Sequence, residues 1–484
     1  MSVVVLVADG ARPDKMANAI DSGLLPALRE MRDEGGFHTI TSAFPSVTGP
    51  AYTPFLMGRY PGPVGLPGLR WYDRSRSAAR LPGNSRSYVG PEMRLVDRDL
   101  DPNAPTIFEL VPSSIAALNV IGRGLSKQDR IGRGLRFVAR TARTHFRGNV
   151  SGWLAIDRDI GNEVAEQIRA KQPEFVFAAL IGIDKTSHSA GHDAPIVGEA
   201  MRIVDETAAE IRRDAERMGR WEDMHLWIVS DHGHSPVRQH ENLAGLIRAS
   251  GSRVIAHPWV YSSAAQVAVM VSGNAMAHIY LDLQKRERPW WPSRDSSWND
   301  LAELLLSRPS VDLMILPTSP RGCEIHSREH GFARLSWNVS SLRVEADSAS
   351  DPPGGVGDRI SYEPLTGDPL RIGPQRNLDN AQAYEATIAS DYPDALVQIA
   401  HLAGSARSGE IILSATRDWD FRARYEPIPH VSSHGALHRE HMLVPLLVNK
   451  PVAGLPRRTV DVMPSALRAL GITIPPGLDG EPFT

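Results

Sequence analysis

The chain has 484 residues, of which 42% are hydrophobic and 23% charged, with 53 Lys and Arg against 56 Asp and Glu. A net charge of −3 leaves no global footprint for a nucleic-acid polymer or an anionic membrane. The single cysteine, Cys323, excludes an internal disulfide and a cysteine-based zinc finger, so any metal site must draw on Asp, His, Glu or hydroxyl groups, and the 17 histidines allow one.

The chain opens on Val3-Val4-Val5-Leu6-Val7-Ala8, followed by Asp9-Gly10. This run lacks the basic start and cleavage site of a signal peptide and is too short to span a bilayer. It reads as a buried parallel strand of a cytoplasmic protein. The Asn-x-Ser sequons at Asn149 and Asn338 therefore carry no weight. Helical spacing of Met16, Ala19, Ile20, Leu24, Leu28 and Met31 predicts a helical stretch from Pro13 to about Glu34. Strands are expected at Phe37–Ile40, Phe175–Ile181 and His225–Ser230, with helices at Ile160–Lys171 and Val197–Met218 between them. Alternating strand and helix implies a mostly parallel sheet covered on both faces.

From about Gln284 the texture changes, with loop-like punctuation at Arg288-Pro289-Trp290-Trp291-Pro292. Short strands at Gly331–Trp337 and Ser341–Ala346 alternate with turns at Pro352-Pro353-Gly354-Gly355 and Gly367-Asp368-Pro369. Strand-like runs return at Glu410–Ser414 and Met442–Val448, and a helix from about Val460 to Leu470 closes the chain. The expected fold is α/β, with a mostly parallel central sheet, helices on both faces and a smaller inserted α+β cap. The expected division is a core over 1–283, the cap over 284–404, and completion of the core over 405–484.

Several strand-like runs lead into metal-type residues. The first ends at Asp9; the run at 175–181 leads to Asp184 with His188 four residues on; the run at 225–230 ends in Asp231-His232; and Ser433-His434-Gly435 precedes the run at 442–448. Ligands of open parallel sheets bind beyond the carboxyl ends of strands, so residues this far apart in sequence can converge on one crevice. A mixture of Asp and His suits a divalent metal such as Zn²⁺ or Mn²⁺.

These residues resemble the alkaline-phosphatase superfamily, in its type I phosphodiesterase/nucleotide pyrophosphatase branch. Val7-Ala8-Asp9-Gly10-Ala11-Arg12 is similar to the branch's first metal-ligand motif. Phe44-Pro45-Ser46-Val47-Thr48-Gly49-Pro50, with Met57-Gly58-Arg59-Tyr60-Pro61-Gly62 after it, resembles the nucleophile motif. Asp184-x-x-x-His188, Ser230-Asp231-His232-Gly233 and His434-Gly435, the last followed by Val444-Pro445-Leu446-Leu447-Val448, resemble the remaining ligand motifs. Arg458-Thr459-Val460-Asp461-Val462-Met463-Pro464, with Leu470-Gly471 and Asp479-Gly480, resembles the C-terminal signature.

The resemblance implies an alkaline-phosphatase-like core and two divalent ions, Zn²⁺ with Mn²⁺ as the alternative. One ion falls to Asp184, His188 and His434, and the other to Asp9, Asp231, His232 and the Thr48 hydroxyl. It implies a hydrolase of phosphoric esters in which Thr48 attacks phosphorus to form a phosphothreonine that is then hydrolysed. The partner is a small phosphorylated substrate, with no nucleic-acid polymer and no membrane span; the oligomeric state stays open.

Two departures bear on the substrate. The family often carries a base-stacking aromatic directly after the nucleophile, where this chain has Gly49. It also places an Asn near the stretch Gly68-Leu69-Arg70-Trp71-Tyr72-Asp73, which has none; Arg70 is the candidate replacement, because a guanidinium grips phosphate in bidentate fashion. The expectation is poor activity on nucleotides and better activity on a smaller or lipid-like phosphoester held by Arg70 or the cap.

Other features are read more plainly. Arg133, Arg136, Arg140, Arg143 and Arg147, spaced 3, 4, 3, 4, form a basic stripe if helical. The stripe is taken as a solvated face paired with acidic neighbours, with an anionic lipid headgroup or polyanionic substrate as the alternative. His192, His234, His438 and His441 are assigned supporting rather than ligand roles, and Trp290, Trp291 and Trp298 cap packing or an interface. The alternative activity is a phosphonate (C–P) or phosphomonoester hydrolase on the same scaffold. The alternative of a different class is an inactive metal-binding scaffold.

Overall fold

The computed structural model of the chain describes residues 1–76, 84–257, 264–291, 296–338, 359–422 and 430–484. The expected strand at Ser341–Ala346 and the turn at Pro352–Gly355 lie outside them.

Among the described residues a seven-stranded sheet forms the core. Its order is Gly36–Thr41, Leu443–Val448, Met224–Val229, Ser2–Ala8, Phe175–Leu180, Ser114–Ala117 and Arg130–Ile131. Ser2–Ala8 lies at its centre, parallel to Phe175–Leu180 on one side and Met224–Val229 on the other. Every residue of that strand is buried. Val3, Val5 and Val7 face one hydrophobic cluster and Val4, Leu6 and Ala8 the other. Burying apolar side chains on both faces is why the strand reads as an unbroken apolar run, each contributing about 1.5–3 kcal/mol.

The helical stretch expected at 13–34 is two helices, Pro13–Asp21 and Pro26–Glu34, each with a proline in its first turn. Helices Val150–Lys171 and Pro195–Arg217 cover the sheet; the first begins well before its expected start at Ile160, and the second lies close to its expected bounds. Asn149 caps the first of them, its side chain accepting from the Gly152 N–H at 3.1 Å.

Leu443–Val448 runs antiparallel to Met224–Val229. Its first residues therefore sit at the edge where the parallel strands end, which is how a histidine preceding this strand reaches the same crevice as Asp9, Asp184 and Asp231.

A second, nine-stranded sheet takes its strands from Val254–Ala256 through Gln375–Leu378 and includes Ile411–Ala415. It extends on both sides of the 284–404 stretch. The Ile411–Ala415 run pairs antiparallel with Met276–Tyr280 and Val311–Ser319 rather than joining the core sheet. Trp291 and Trp298 are buried within this region, ring centroids 5.6 Å apart. The turn Gly273–Asn274 of this sheet bridges to His434, and Ala275 N–H donates to the His434 carbonyl at 3.1 Å. The second sheet thus braces a residue of the core crevice. No helix among the described residues is long and apolar enough to cross a membrane.

Candidate metal centre and nucleophile

Asp9 follows the central strand directly, and its N–H donates to the Leu180 carbonyl at 3.1 Å. Gly10 must be glycine: its φ is +82°, and a Cβ there would lie 2.9 Å from His234 Cδ2 and 3.0 Å from Asp184 Cα. Asp184 and His188 are carried on the helix Gly182–Ala190, which starts just beyond Phe175–Leu180. The buried Asp157 fixes the start of that helix, accepting from Ile181 N–H at 3.0 Å and Gly182 N–H at 2.6 Å.

Asp184, His188, His234 and His434 are all buried and bring ligand atoms within 4.8 Å of one another; Asp9, Asp184 and His232 form an adjoining group. Asp184 Oδ1 lies 2.8 Å from His234 Nε2, 3.1 Å from His188 Nε2 and 3.5 Å from His434 Nε2. The outer ring nitrogens are tied down: His188 Nδ1 to the Ser432 carbonyl at 2.8 Å and His434 Nδ1 to the Ser46 carbonyl at 2.9 Å. Those Nδ1–H donors assign the tautomer and turn each Nε2 lone pair inward.

Thr48 sits in the loop between Gly36–Thr41 and the short helix Thr53–Met57. Its Oγ1 is 3.1 Å from His232 Nε2 and 3.4 and 3.3 Å from the two Asp9 oxygens. It is half-buried while the acids and imidazoles around it are buried, so a substrate reaches it from one side.

The electrostatics favour a cation. Both Asp231 carboxylate oxygens are buried without a hydrogen bond of ordinary geometry, a costly arrangement unless a positive charge compensates. Burial, then repulsion from Asp231 and Asp184, raises Asp9 well above the usual carboxylate range. Burial also raises Asp231. At Asp184 burial works in the same direction, but His188 and Lys185 outweigh it and hold the carboxyl well below its ordinary value. Burial lowers His434 well below the ordinary imidazole value and His234 to about 3, leaving both neutral with lone pairs to offer. Converging carboxylates with neutral imidazoles are a donor set that suits divalent metal ions.

Not every expected residue joins the cluster. Arg70 is buried, with Nη1 donating to the Val271 carbonyl at 3.4 Å and its backbone N–H to Ser272 Oγ at 3.3 Å, both partners on the second sheet. Gly49 adopts φ +99°, and a Cβ there would meet Leu69 Cδ1 at 3.6 Å and Val120 Cγ2 at 3.8 Å. The position faces an apolar wall, and its backbone conformation is one that an aromatic residue rarely adopts.

His234 stands inside the first group rather than behind it, and its signal was its place two residues after His232. Lys185 and Tyr52 carried no motif signal. Lys185 Nζ contacts Asp184 Oδ2 at 2.7 Å, and the buried Tyr52 is raised by burial and by the charges of Asp9, Asp231 and Asp184. His441 is structural: its Nδ1 accepts from the Ala436 N–H at 3.0 Å and its Nε2–H donates to Ser235 Oγ at 2.8 Å. His438 pairs with Glu440 at 2.9 Å, and His192 lies 3.3 Å from Asp193.

A family model, type I phosphodiesterase/nucleotide pyrophosphatase, matches residues 3–313. No curated protein matches the chain. Among solved structures, human ectonucleotide pyrophosphatase/phosphodiesterase 5 superimposes with a TM-score of 0.56 at 13% identity, covering 99% of this chain and 97% of that one. The murine protein gives 0.54 at 14%, covering 98% and 96%. Phosphonoacetate hydrolase from Sinorhizobium meliloti gives 0.55 at 16%, covering 97% and 96%. These likenesses establish an alkaline-phosphatase-like fold with an added β cap. The chain belongs to the type I phosphodiesterase/nucleotide pyrophosphatase family.

Proposed function

We propose that the protein is a two-metal hydrolase of phosphoric esters that works through a covalent phosphothreonine at Thr48. The observation carrying this reading is a hydroxyl within 3.1–3.4 Å of His232 and Asp9, on the edge of a buried nest of Asp and His side chains.

Asp184, His188 and His434, with His234 beside them, would hold one ion; Asp9, Asp231, His232 and Thr48 Oγ1 would hold the other. Zinc suits this donor set, with manganese as the alternative. When bound, the ions supply charge stabilisation for the transferring phosphoryl group and lower the pKa of the attacking hydroxyl.

The chain's own groups do the rest. Asp9 and His232 orient Thr48 Oγ1 towards the open side of the crevice. Thr48 attacks phosphorus, the ester oxygen leaves, and water then cleaves the Thr48 phosphoester to regenerate the hydroxyl. The carbonyls of Ser432 and Ser46 keep His188 and His434 in the tautomer that faces inward.

The murine neighbour is known in complex with AMP and the bacterial one in complex with phosphonoacetate, so a nucleotide ester and a phosphonate are both candidate substrate classes. Gly49, Leu69 and Val120 favour the smaller or lipid-like ester, because position 49 itself bears no ring and the described side chains nearest it are apolar. Loss of a stacking platform worth about 1–3 kcal/mol lowers nucleotide preference roughly 5- to 150-fold. Phosphonate or phosphomonoester hydrolysis is the second reading, favoured by the same bare position at Gly49.

Elemental analysis of the purified protein, paired with hydrolysis of nitrophenyl diester, monoester and phosphonate substrates, tests the proposal. The expected result is two divalent ions per chain and diester hydrolysis that stops on chelation and returns with Zn²⁺ or Mn²⁺. One ion in a fully active protein, or activity indifferent to chelation, would reject it. Selective hydrolysis of nucleotide diesters would overturn the substrate assignment alone.

A further inference from the structure

The basic stripe at 133–147 forms a surface helix, Leu135–Phe146. The stretch contains five arginines and no acidic residue, in a chain whose net charge is −3. The expected pairing with acidic neighbours is met at Arg140, which contacts Asp159. Arg133 donates to the Asn119 carbonyl at 2.5 Å. Arg136, Arg143 and Arg147 have no acidic partner among the described residues.

The outward face is also apolar. Leu135 is 90% exposed, Val138 53% and Phe146 74%, while Phe137 turns inward to the core and Thr144 is buried. At 3.6 residues per turn, positions 135, 138, 142 and 146 form one stripe and the arginines at 136, 140, 143 and 147 the next. An apolar ridge beside a row of arginines, of which Arg136, Arg143 and Arg147 lack an acidic partner among the described residues, is the pattern of a helix lying in the headgroup layer of an anionic bilayer.

Its placement links it to the crevice. The preceding strand, Arg130–Ile131, runs parallel to Ser114–Ala117 and so ends at the edge that carries Asp9 and Asp184. Arg133 is bonded to Asn119, and the next residue, Val120, lies against Gly49 beside Thr48.

We propose that Leu135–Phe146 docks the protein on an anionic phospholipid surface, its apolar ridge among the headgroups and its arginines on lipid phosphates, with the Thr48 rim turned towards the membrane. The partner is chosen by charge and polarity together. In a two-fold contact between copies through this ridge, the same basic patch would face itself, so a second copy answers the apolar ridge but not the arginines. The docking does not depend on the catalytic reading, and it is measured by binding alone.

Flotation of the full chain with vesicles of phosphatidylcholine, or of an equal mixture of phosphatidylcholine and phosphatidylglycerol, tests it. The wild type should float with the mixed vesicles only, and less so as salt rises. At about a fivefold change per arginine, Arg136→Gln with Arg143→Gln should weaken partition roughly thirtyfold. Arg136→Lys with Arg143→Lys should retain it. Leu135→Ser with Phe146→Ser should also weaken it, and all these variants should hydrolyse a soluble ester like wild type. No flotation, equal flotation with both vesicles, or flotation unchanged by the Gln and Ser pairs would overturn the proposal. So would a dimer in sedimentation that Phe146→Ser dissociates in a protein that ignores vesicles, because the ridge would then belong to a second copy.

Discussion

At Gly49 the backbone sits at φ +99° beside Leu69 and Val120, so the residue after Thr48 is set by conformation as well as by space. Gly49→Ala fits the volume but strains a backbone that L residues avoid, at about 1–3 kcal/mol. Because the strain falls next to Thr48, kcat should drop by more than the loss of global stability suggests. Paired measurement of kcat and the denaturation midpoint checks this, and a variant with normal kcat would show that Thr48 is held independently of residue 49. His234 is the residue whose role the geometry changes most, since its Nε2 is 2.8 Å from Asp184 Oδ1. Loss of a group that only orients a ligand already lowers metal affinity about 10- to 100-fold, and His234 stands within the candidate group itself. His234→Ala should do so in a metal titration; unaltered affinity would assign it to packing.

At the scale of elements, the site depends on where helix Gly182–Ala190 begins. Asp157 receives two backbone N–H groups there, and a Cβ at Gly182 would stand 2.6 Å from Asp157 Oδ2. Asp157→Asn replaces one acceptor by a donor facing the Gly182 N–H, at a cost of about 1–3 kcal/mol. Denaturation should report that loss, and metal binding through Asp184 and His188 should weaken with it. Retained stability would mean the helix start needs no such anchor. The C-terminal signature is structural in the same sense. Arg458 makes a buried two-pronged pair with Asp394, both bonds at 2.8 Å, and Asp461 accepts from the N–H groups of Arg457, Arg458 and Glu481. Arg458→Ala strands a buried carboxylate, which costs about 3–5 kcal/mol; denaturant unfolding should show it, with the Asp and His cluster itself untouched.

Over the whole molecule, legibility follows burial. Ser2–Ala8, Phe175–Leu180 and Met224–Val229 are covered on both faces, so their apolar runs stand out, and the Asp or His beyond each marks the strand end that faces the crevice. Ser114–Ala117 and Arg130–Ile131 also belong to the core sheet but are too short to signal. Ile411–Ala415 is as apolar as a core strand yet pairs in the second sheet, because apolarity records burial and not the identity of the neighbour. The crevice residues were legible because their chemistry is unusual for an apolar strand end. Lys185 adjoins Asp184 in the sequence but belongs to no ligand motif, and Tyr52 was not legible because only tertiary packing brings it beside Asp9. Removing the ions should also destabilise the molecule, since it leaves the repelling Asp9 and Asp231 carboxyls uncompensated. Ligand at a hundred times its Kd stabilises by about 2.7 kcal/mol, so chelation should lower Tm measurably, and an unchanged Tm would argue against bound ions.

Turnover of a nitrophenyl phosphodiester by metal-loaded wild type and Thr48→Ala, with metal content measured in the same samples, bears most directly on the proposed chemistry. In the proposed arrangement Thr48 would supply one ligand of one ion, so the variant should keep its metals and its fold while losing on the order of 10⁴- to 10⁶-fold in kcat. Near wild-type turnover by a metal-loaded Thr48→Ala protein would contradict the covalent mechanism.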